Sequence, residues 1–356
     1  MTSDLRLPLL IYAAIGFAGC TIGLFIDPKT MLASYLTAWA ALSAIPIGAL
    51  AVLFTSYLVR AGWTRDLHLS LSGAALTLPV VAVMFIPVLA GMSAIYPWAT
   101  SAAALPPFKA AYLTPWFFTL RTIVYFAAWT ALAVWASRAY GNDAAMKRVA
   151  AAGLIIWALT ASWAGVDWFE SVEPQFHSSI YGLLIVSFDL LAGLAFGIFA
   201  LLSSKQRQSM SNSAYAGVLL SVLLLWAYLY AMQYIIIWTG NIPEEVTWYL
   251  KRLDGAWGFA LWLLYIGQFF VPFFALLSSN IRASTRALLY LAGAAIALRY
   301  LEAAILLLPP LGVSNLGLIL DLPAAILATG ASWLFAFGFA VRVVEHRGLS
   351  RTATAH

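Results

Sequence analysis

Apolar residues in this chain gather into ten long, uninterrupted runs, separated by short polar or proline-bearing stretches. The runs cover about 7–26, 34–59, 69–91, 115–137, 149–168, 179–203, 214–238, 256–278, 286–308 and 318–343. A helix needs about 20 apolar residues to cross a hydrocarbon layer about 30 Å thick. Continuous runs favour helices over a barrel, whose strands alternate over about ten residues. The pattern therefore predicts an all-α integral membrane protein with about ten transmembrane helices, a single polytopic domain over 1–356. Composition agrees: 63% of residues are hydrophobic and 9% charged, with a mean hydropathy of +0.90. A soluble domain carries about a quarter of its residues charged. The first run is long for a removed signal peptide and lacks a clean small-residue cleavage site.

Charge between the runs is two-sided. The N-terminus, alternate loops and the C-terminus hold thirteen Lys and Arg: Arg6, Arg60, Arg65, Arg138, Lys147, Arg148, Lys205, Arg207, Arg282, Arg286, Arg342, Arg347 and Arg351. The other loops hold Lys29, Lys109, Lys251 and Arg252, while acids such as Asp27, Asp167, Glu170, Glu173, Glu244 and Glu245 cluster there. Basic residues concentrate on the cytoplasmic side, so both termini are expected to be cytoplasmic. The net charge of +5 is spread thinly over many loops and is not a nucleic-acid signal.

Four ionisable residues fall well inside the runs: Arg121, Asp189, Arg299 and Glu302. A charge at the bilayer centre costs about 2.5–3.5 kcal/mol on insertion scales, so each is expected to face protein and to have a partner. Arg299 and Glu302, three residues apart, can pair on one helix face. Asp189 lies near the middle of the sixth run with no base in its own helix. It reads as a proton-relay station or as a neutral acid bonded to a neighbouring helix. Absences narrow the chemistry. The lone Cys20 excludes disulfides and cysteine-ligated clusters within the chain. None of the histidines (His68, His177, His346 and His356) is central in a run, which disfavours haem between helices. The lysines lie in loops or at helix ends, leaving no buried amine for a Schiff base. No phosphate loop, zinc motif or nucleophile elbow appears.

The richest polar segment is 166–182, VDWFESVEPQFHSSIYG. It sets Asp167, Glu170, Glu173 and His177 at an outer membrane boundary beside Trp168 and Phe176. Such a group suits a quinol head group, with His177 accepting a hydroxyl proton and a carboxylate passing it outward. The plainer reading is an interfacial aromatic belt with solvated charges.

This segment resembles the junction of the fifth and sixth helices in the ActF-like membrane subunit of alternative complex III, a quinol:electron-acceptor oxidoreductase. Residues 85–99, FIPVLAGMSAIYPWA, resemble the end of that subunit's third helix and the loop after it. Residues 233–252, QYIIIWTGNIPEEVTWYLKR, carry its W, NIPEE and WYLKR elements in order. Residues 299–310, RYLEAAILLLPP, are a looser match to the end of the ninth helix, with Arg299 and Glu302 present but no histidine. The wider group is the NrfD and polysulfide-reductase membrane-subunit family. The resemblance implies two four-helix bundles, helices two to five over about 34–168 and six to nine over about 179–308, with one flanking helix at each end. It implies a bacterial inner-membrane subunit that binds quinone but carries no haem, metal or iron–sulfur cluster. The expected partners are iron–sulfur and cytochrome c subunits, a sister NrfD-like subunit and the lipid bilayer. On this reading Asp167, His177 and Arg121 are quinone-binding candidates. Asp189, Arg299, Glu302, Asp66 and His68 are proton-path candidates, the last two at a cytoplasmic mouth. A secondary transporter and a purely structural anchor for redox subunits are the rival readings. Transporters favour paired helix breaks, whereas here Pro46, Pro79, Pro87 and Pro272 permit unpaired kinks.

Overall fold

The computed structural model describes residues 5–59, 62–101, 105–204, 210–313 and 315–353; Arg60, Lys205, Arg207 and His356 lie outside them. The described residues contain no strand, and ten helices are long and apolar enough to cross a membrane. They are α1 Arg6–Ile26, α2 Pro28–Leu58, α3 Thr64–Ala90, α4 Pro115–Ala139, α5 Asp143–Val172, α6 Tyr181–Ser203, α7 Asn212–Gly240, α8 Gly255–Leu277, α9 Thr285–Leu311 and α10 Gly317–His346. The chain is thus a multi-pass membrane protein by the length and composition of its helices.

At the centre stands α2, which touches α1, α3, α5, α6, α9 and α10. It starts at Pro28, earlier than the apolar run, because Asp27 caps it by accepting from the Thr30 amide and hydroxyl and proline suits the first turn. Its seven alanines and single glycine, Gly48, let neighbours approach closely. At the crossing with α6, a Cβ on Gly48 would lie 1.7 Å from the Asp189 carbonyl oxygen, and one on Gly193 2.2 Å from the Ala49 nitrogen. The two backbones are in contact, and that contact sets the depth of Asp189. The helix runs unbroken through Pro46.

The prolines of α3 do break it. Pro79 and Pro87 each open a new segment, Leu78–Val83 and Ile86–Ala90. At these joints the Phe85 amide turns to Ala82 and the Val88 amide to Phe85, freeing the carbonyls of Val81 and Met84. Trp39 Nε1 donates to the first at 3.0 Å and the Tyr35 hydroxyl to the second at 2.8 Å. Both come from α2, so buried polar tips of one helix satisfy the broken ladder of the next.

The end of α9 carries a similar device. Pro309 and Pro310 cannot donate to the carbonyls of Ile305 and Leu306. Arg252, at the end of the surface helix Pro243–Leu253, takes both, through Nε at 2.9 Å and Nη2 at 2.7 Å. Its Nη1 reaches Glu173 at 2.9 Å, and its guanidinium lies 3.7 Å from the Trp248 ring centre. Burial lowers the Arg252 pKa, and Glu173 opposes that shift. In α8 a π-turn, Ile266–Phe270, precedes Pro272 and turns Gln268 inward, where neither side-chain amide atom finds a partner among the described residues. Single π-turns of this kind often mark functional positions.

Candidate functional site

The buried ionisable groups sort into three levels. At one end of the bundle, near the turn from α5 to α6, Arg121 of α4 meets Asp167 of α5 in a two-pronged ion pair, Nε and Nη2 each 2.8 Å from a carboxylate oxygen. The Tyr125 hydroxyl adds a third bond to Asp167 at 2.8 Å. Arg121 Nη1 donates to the Tyr112 carbonyl at 2.9 Å, and the guanidinium lies 3.7 Å from the Tyr112 ring centre. Asp167 is 0% exposed and Arg121 11%. Every prong is used, which is what holds a charge inside the membrane.

His177 is elsewhere. It is exposed, with Nδ1 2.8 Å from the Gln175 carbonyl, and lines a cavity of about 470 Å³ between α5 and α6. The carboxylate lining that cavity is Glu170, not Asp167. Glu170 accepts from the Ser178 amide at 3.3 Å. Lys109 braces the same loop, donating to the carbonyls of Pro174 at 2.8 Å and Phe176 at 3.2 Å. Burial lowers the Lys109 pKa while the Glu170 charge opposes that.

The middle level joins α6 and α9. Arg299 and Glu302 form the expected ion pair within one helix, both 0% exposed. Glu302 Oε1 accepts from Trp226 Nε1 at 2.9 Å and from the Tyr230 hydroxyl, both on α7. Arg299 Nε donates to the Ala295 carbonyl at 3.3 Å, and its guanidinium faces Phe188 at 5.1 Å. The contact between Arg299 Nη1 and Glu302 Oε2 is close but poorly aligned. Neither atom, nor Arg299 Nη2, makes a directed hydrogen bond among the described residues. Asp189 lies within electrostatic reach of both Arg299 and Glu302. Its carboxyl makes no hydrogen bond among the described residues. The ion pair and the nearby Asp189 thus form an ionisable group in which Arg299 Nη2 lacks an acceptor among the described residues, unlike the Arg121–Asp167 pair, whose prongs are all used.

At the opposite end Asp66 and His68 are both buried near the start of α3 but turn to different neighbours. Asp66 accepts from the Met210 amide at 3.2 Å and from the Tyr215 hydroxyl, fixing the start of α7. His68 stacks on Tyr140 with ring centres 4.0 Å apart, its Nδ1 3.2 Å from the Tyr57 hydroxyl.

Sequence reasoning missed Tyr230, Trp226, Tyr215 and Arg252. Trp226 and Tyr230 are spaced i,i+4, which places them on one face of α7, and that spacing was a usable signal. A cavity of about 820 Å³ between α3 and α4 is mostly apolar and is not lined by Arg121, Asp189, Arg299 or Glu302. Another of about 500 Å³ opens between α7 and α8, walled by Trp226 and Tyr230. The sequence matches no family model and no curated protein.

Proposed function

We propose that this chain is a membrane subunit of a quinol:electron-acceptor oxidoreductase of the alternative complex III kind. In this reading it sits in a bacterial inner membrane with both termini cytoplasmic and supplies a proton path rather than a redox cofactor. Electrons leave quinol through iron–sulfur and cytochrome c chains, beside a sister NrfD-like subunit. The two-bundle arrangement is supported by neighbour relations. Helices α2 to α5 close through the pairs 2–3, 3–4, 4–5 and 2–5, and α6 to α9 through 6–7, 7–8, 8–9 and 6–9. The helix breaks fall in α3 and α8, which are not corresponding members of the two sets, and this counts against a transporter built on paired discontinuities.

The observation that carries the reading is the mid-membrane group Asp189, Arg299 and Glu302. A group kept only for packing is expected to be fully bonded, as the Arg121–Asp167 pair is. Here Arg299 and Glu302 pair with each other, but Arg299 Nη2 has no acceptor and Asp189 stands nearby without a hydrogen bond of its own among the described residues, an arrangement in which a proton can be taken up or passed on. Quinol is assigned to the outer cavity with Glu170 and His177, where a head group's hydroxyl protons would meet a base near the water boundary. Arg121 and Asp167 then support the α4–α5 wall rather than touch the ring. The test uses the native complex carrying Asp189→Asn or Glu302→Gln. Assembly is expected to stay intact while proton translocation per quinol oxidised falls at least tenfold. Unchanged coupling in both variants would return the group to a packing role.

A further inference from the structure

The crevice between α7 and α8 has no part in the outer-face reading. Its walls are aromatic, formed by Trp226 and Tyr230 of α7 and by Trp262, Tyr265 and Phe269 of α8. Tyr249 of the surface helix closes its outer end, and Tyr234 stands against Tyr249 with ring centres 5.5 Å apart. Tyr234, Trp262 and Phe270 are also lipid-facing, being exposed on the helix surfaces, so the opening is from the bilayer. The volume, about 500 Å³, falls in the range of small-molecule pockets, which are apolar with a few placed polar groups.

Those polar groups decide the occupant. The hydroxyls of Tyr234, Tyr249 and Tyr265 make no hydrogen bond among the described residues. A hydrocarbon tail filling the crevice would bury them unpaired, at a cost a partner oxygen removes. Tyr230 spends its proton on Glu302 and keeps lone pairs able to accept. Tyr265 stands edge-on to Tyr230, with ring centres 6.1 Å apart, and Tyr230 in turn bonds Glu302. The geometry points to a binding site for a flat, lipid-soluble ring bearing hydroxyl or carbonyl oxygen, seated between α7 and α8 with its oxygen toward Tyr265 and Tyr230. Ring faces stack on the aromatic walls, and the polar edge ends one hydroxyl away from the buried Glu302 carboxylate. The site is separate from the cavity of Glu170 and His177, and its failure would leave that assignment untouched.

The full-length chain in phosphatidylcholine nanodiscs is titrated with 2-heptyl-4-hydroxyquinoline N-oxide, a fluorescent hydroxylated ring with an alkyl tail, and quenching is read. All variants are made in a Glu170→Gln, His177→Ala background, so that binding at the outer cavity does not contribute. Saturable quenching is expected to persist in that background. Ala227→Trp, which fills the crevice, is expected to weaken it more than tenfold, and Tyr265→Phe about three- to tenfold, the range of one lost hydrogen bond. Ala231→Trp serves as a second filling variant, and each variant is checked for an unchanged elution profile. Loss of quenching in the background alone, or equal affinity in the filling variants and in Tyr265→Phe, would overturn the site. So would retention of a phospholipid that the probe does not displace.

Discussion

Breaking the Arg121–Asp167 pair tests whether buried charge organises the α4–α5 end of this protein. Asp167→Leu removes both prongs of the ion pair and orphans the Tyr125 hydroxyl, leaving Arg121 with the Tyr112 carbonyl and ring. Arg121→Met leaves a fully buried carboxylate with Tyr125 alone as side-chain donor. Removing one member of a buried pair costs about 3–5 kcal/mol, because the other charge stays behind. Polar contacts within membranes often measure less, averaging about 0.6 kcal/mol, because the unfolded chain in lipid finds other partners. Two aligned prongs on a 0% exposed carboxylate place this pair near the upper figure. Replacing both partners together, Arg121→Met with Asp167→Leu, removes both charges and is expected to land within about 2 kcal/mol of the parent. Independent sites would instead give a sum of about 6–10 kcal/mol. Reversible unfolding in mixed micelles by dodecyl sulfate, followed by tryptophan fluorescence, measures all three. Single costs below about 1 kcal/mol, or a double variant at the sum, would refute the argument.

Three further outcomes follow from the geometry. Gly48→Ala sets a Cβ against the Asp189 carbonyl oxygen, where backbone must move. A loss of about 3 kcal/mol or more is expected in the same assay, whereas Gly217→Ala, with nothing within 4 Å, should be neutral or up to about 1 kcal/mol stabilising. Arg252→Lys keeps the charge but cannot reach Ile305, Leu306 and Glu173 together. Amide exchange over 243–253 should rise at least tenfold while the spans stay protected. Asp27→Ala removes the α2 cap and should cost about 1 kcal/mol. Hydrogen bonds from Thr30 hold the Asp27 carboxyl below its usual range. The cap's contribution is therefore complete above the unfolded value of about 3.9 and is lost as pH falls through the lower folded one; a melting curve against pH reads this.

The ten helices were legible because lipid demands long, apolar, internally bonded segments, and nothing else in the chain competes with that signal. Their ends were less so. Starting α2 at Pro28 depends on the cap at Asp27, and starting α3 at Thr64 brings polar residues into a helix that hydropathy alone begins later. Which helix lies at the centre could not be read from hydrophobicity, since an apolar face suits lipid and protein equally. The density of Ala in α2, with its single glycine Gly48 at the tight crossing with α6, was the better clue. The Arg299–Glu302 pair was legible because both members share one turn. The attachment of Asp189 to it was not, since choosing a partner across helices needs the crossing of α2 and α6 to fix its depth. Asp167 and His177 are near in sequence yet part company, because Asp167 ends on the α4-facing side of its helix while His177 follows the Pro174 turn onto the surface. The pairing of LLLPP with WYLKR was readable in principle: two consecutive prolines free two consecutive carbonyls, and a buried guanidinium has the fork to take both.

On the proposed reading, the contrast between the levels points to the proton path more sharply than the presence of charge does. Arg121 and Arg252 are each surrounded by acceptors at hydrogen-bond distance, and such saturation fixes a helix or a loop in one place. Arg299 has the same donors and the deepest burial, yet two of its nitrogens stay without a directed bond while two carboxylates stand near. In a medium that penalises every unpaired polar group, that arrangement persists only if something offsets its cost. A proton held on Asp189 would lower that cost by leaving one negative charge beside Arg299, and on the proposed reading a ring oxygen in the adjoining crevice would have the Tyr230 hydroxyl as its nearest route to Glu302.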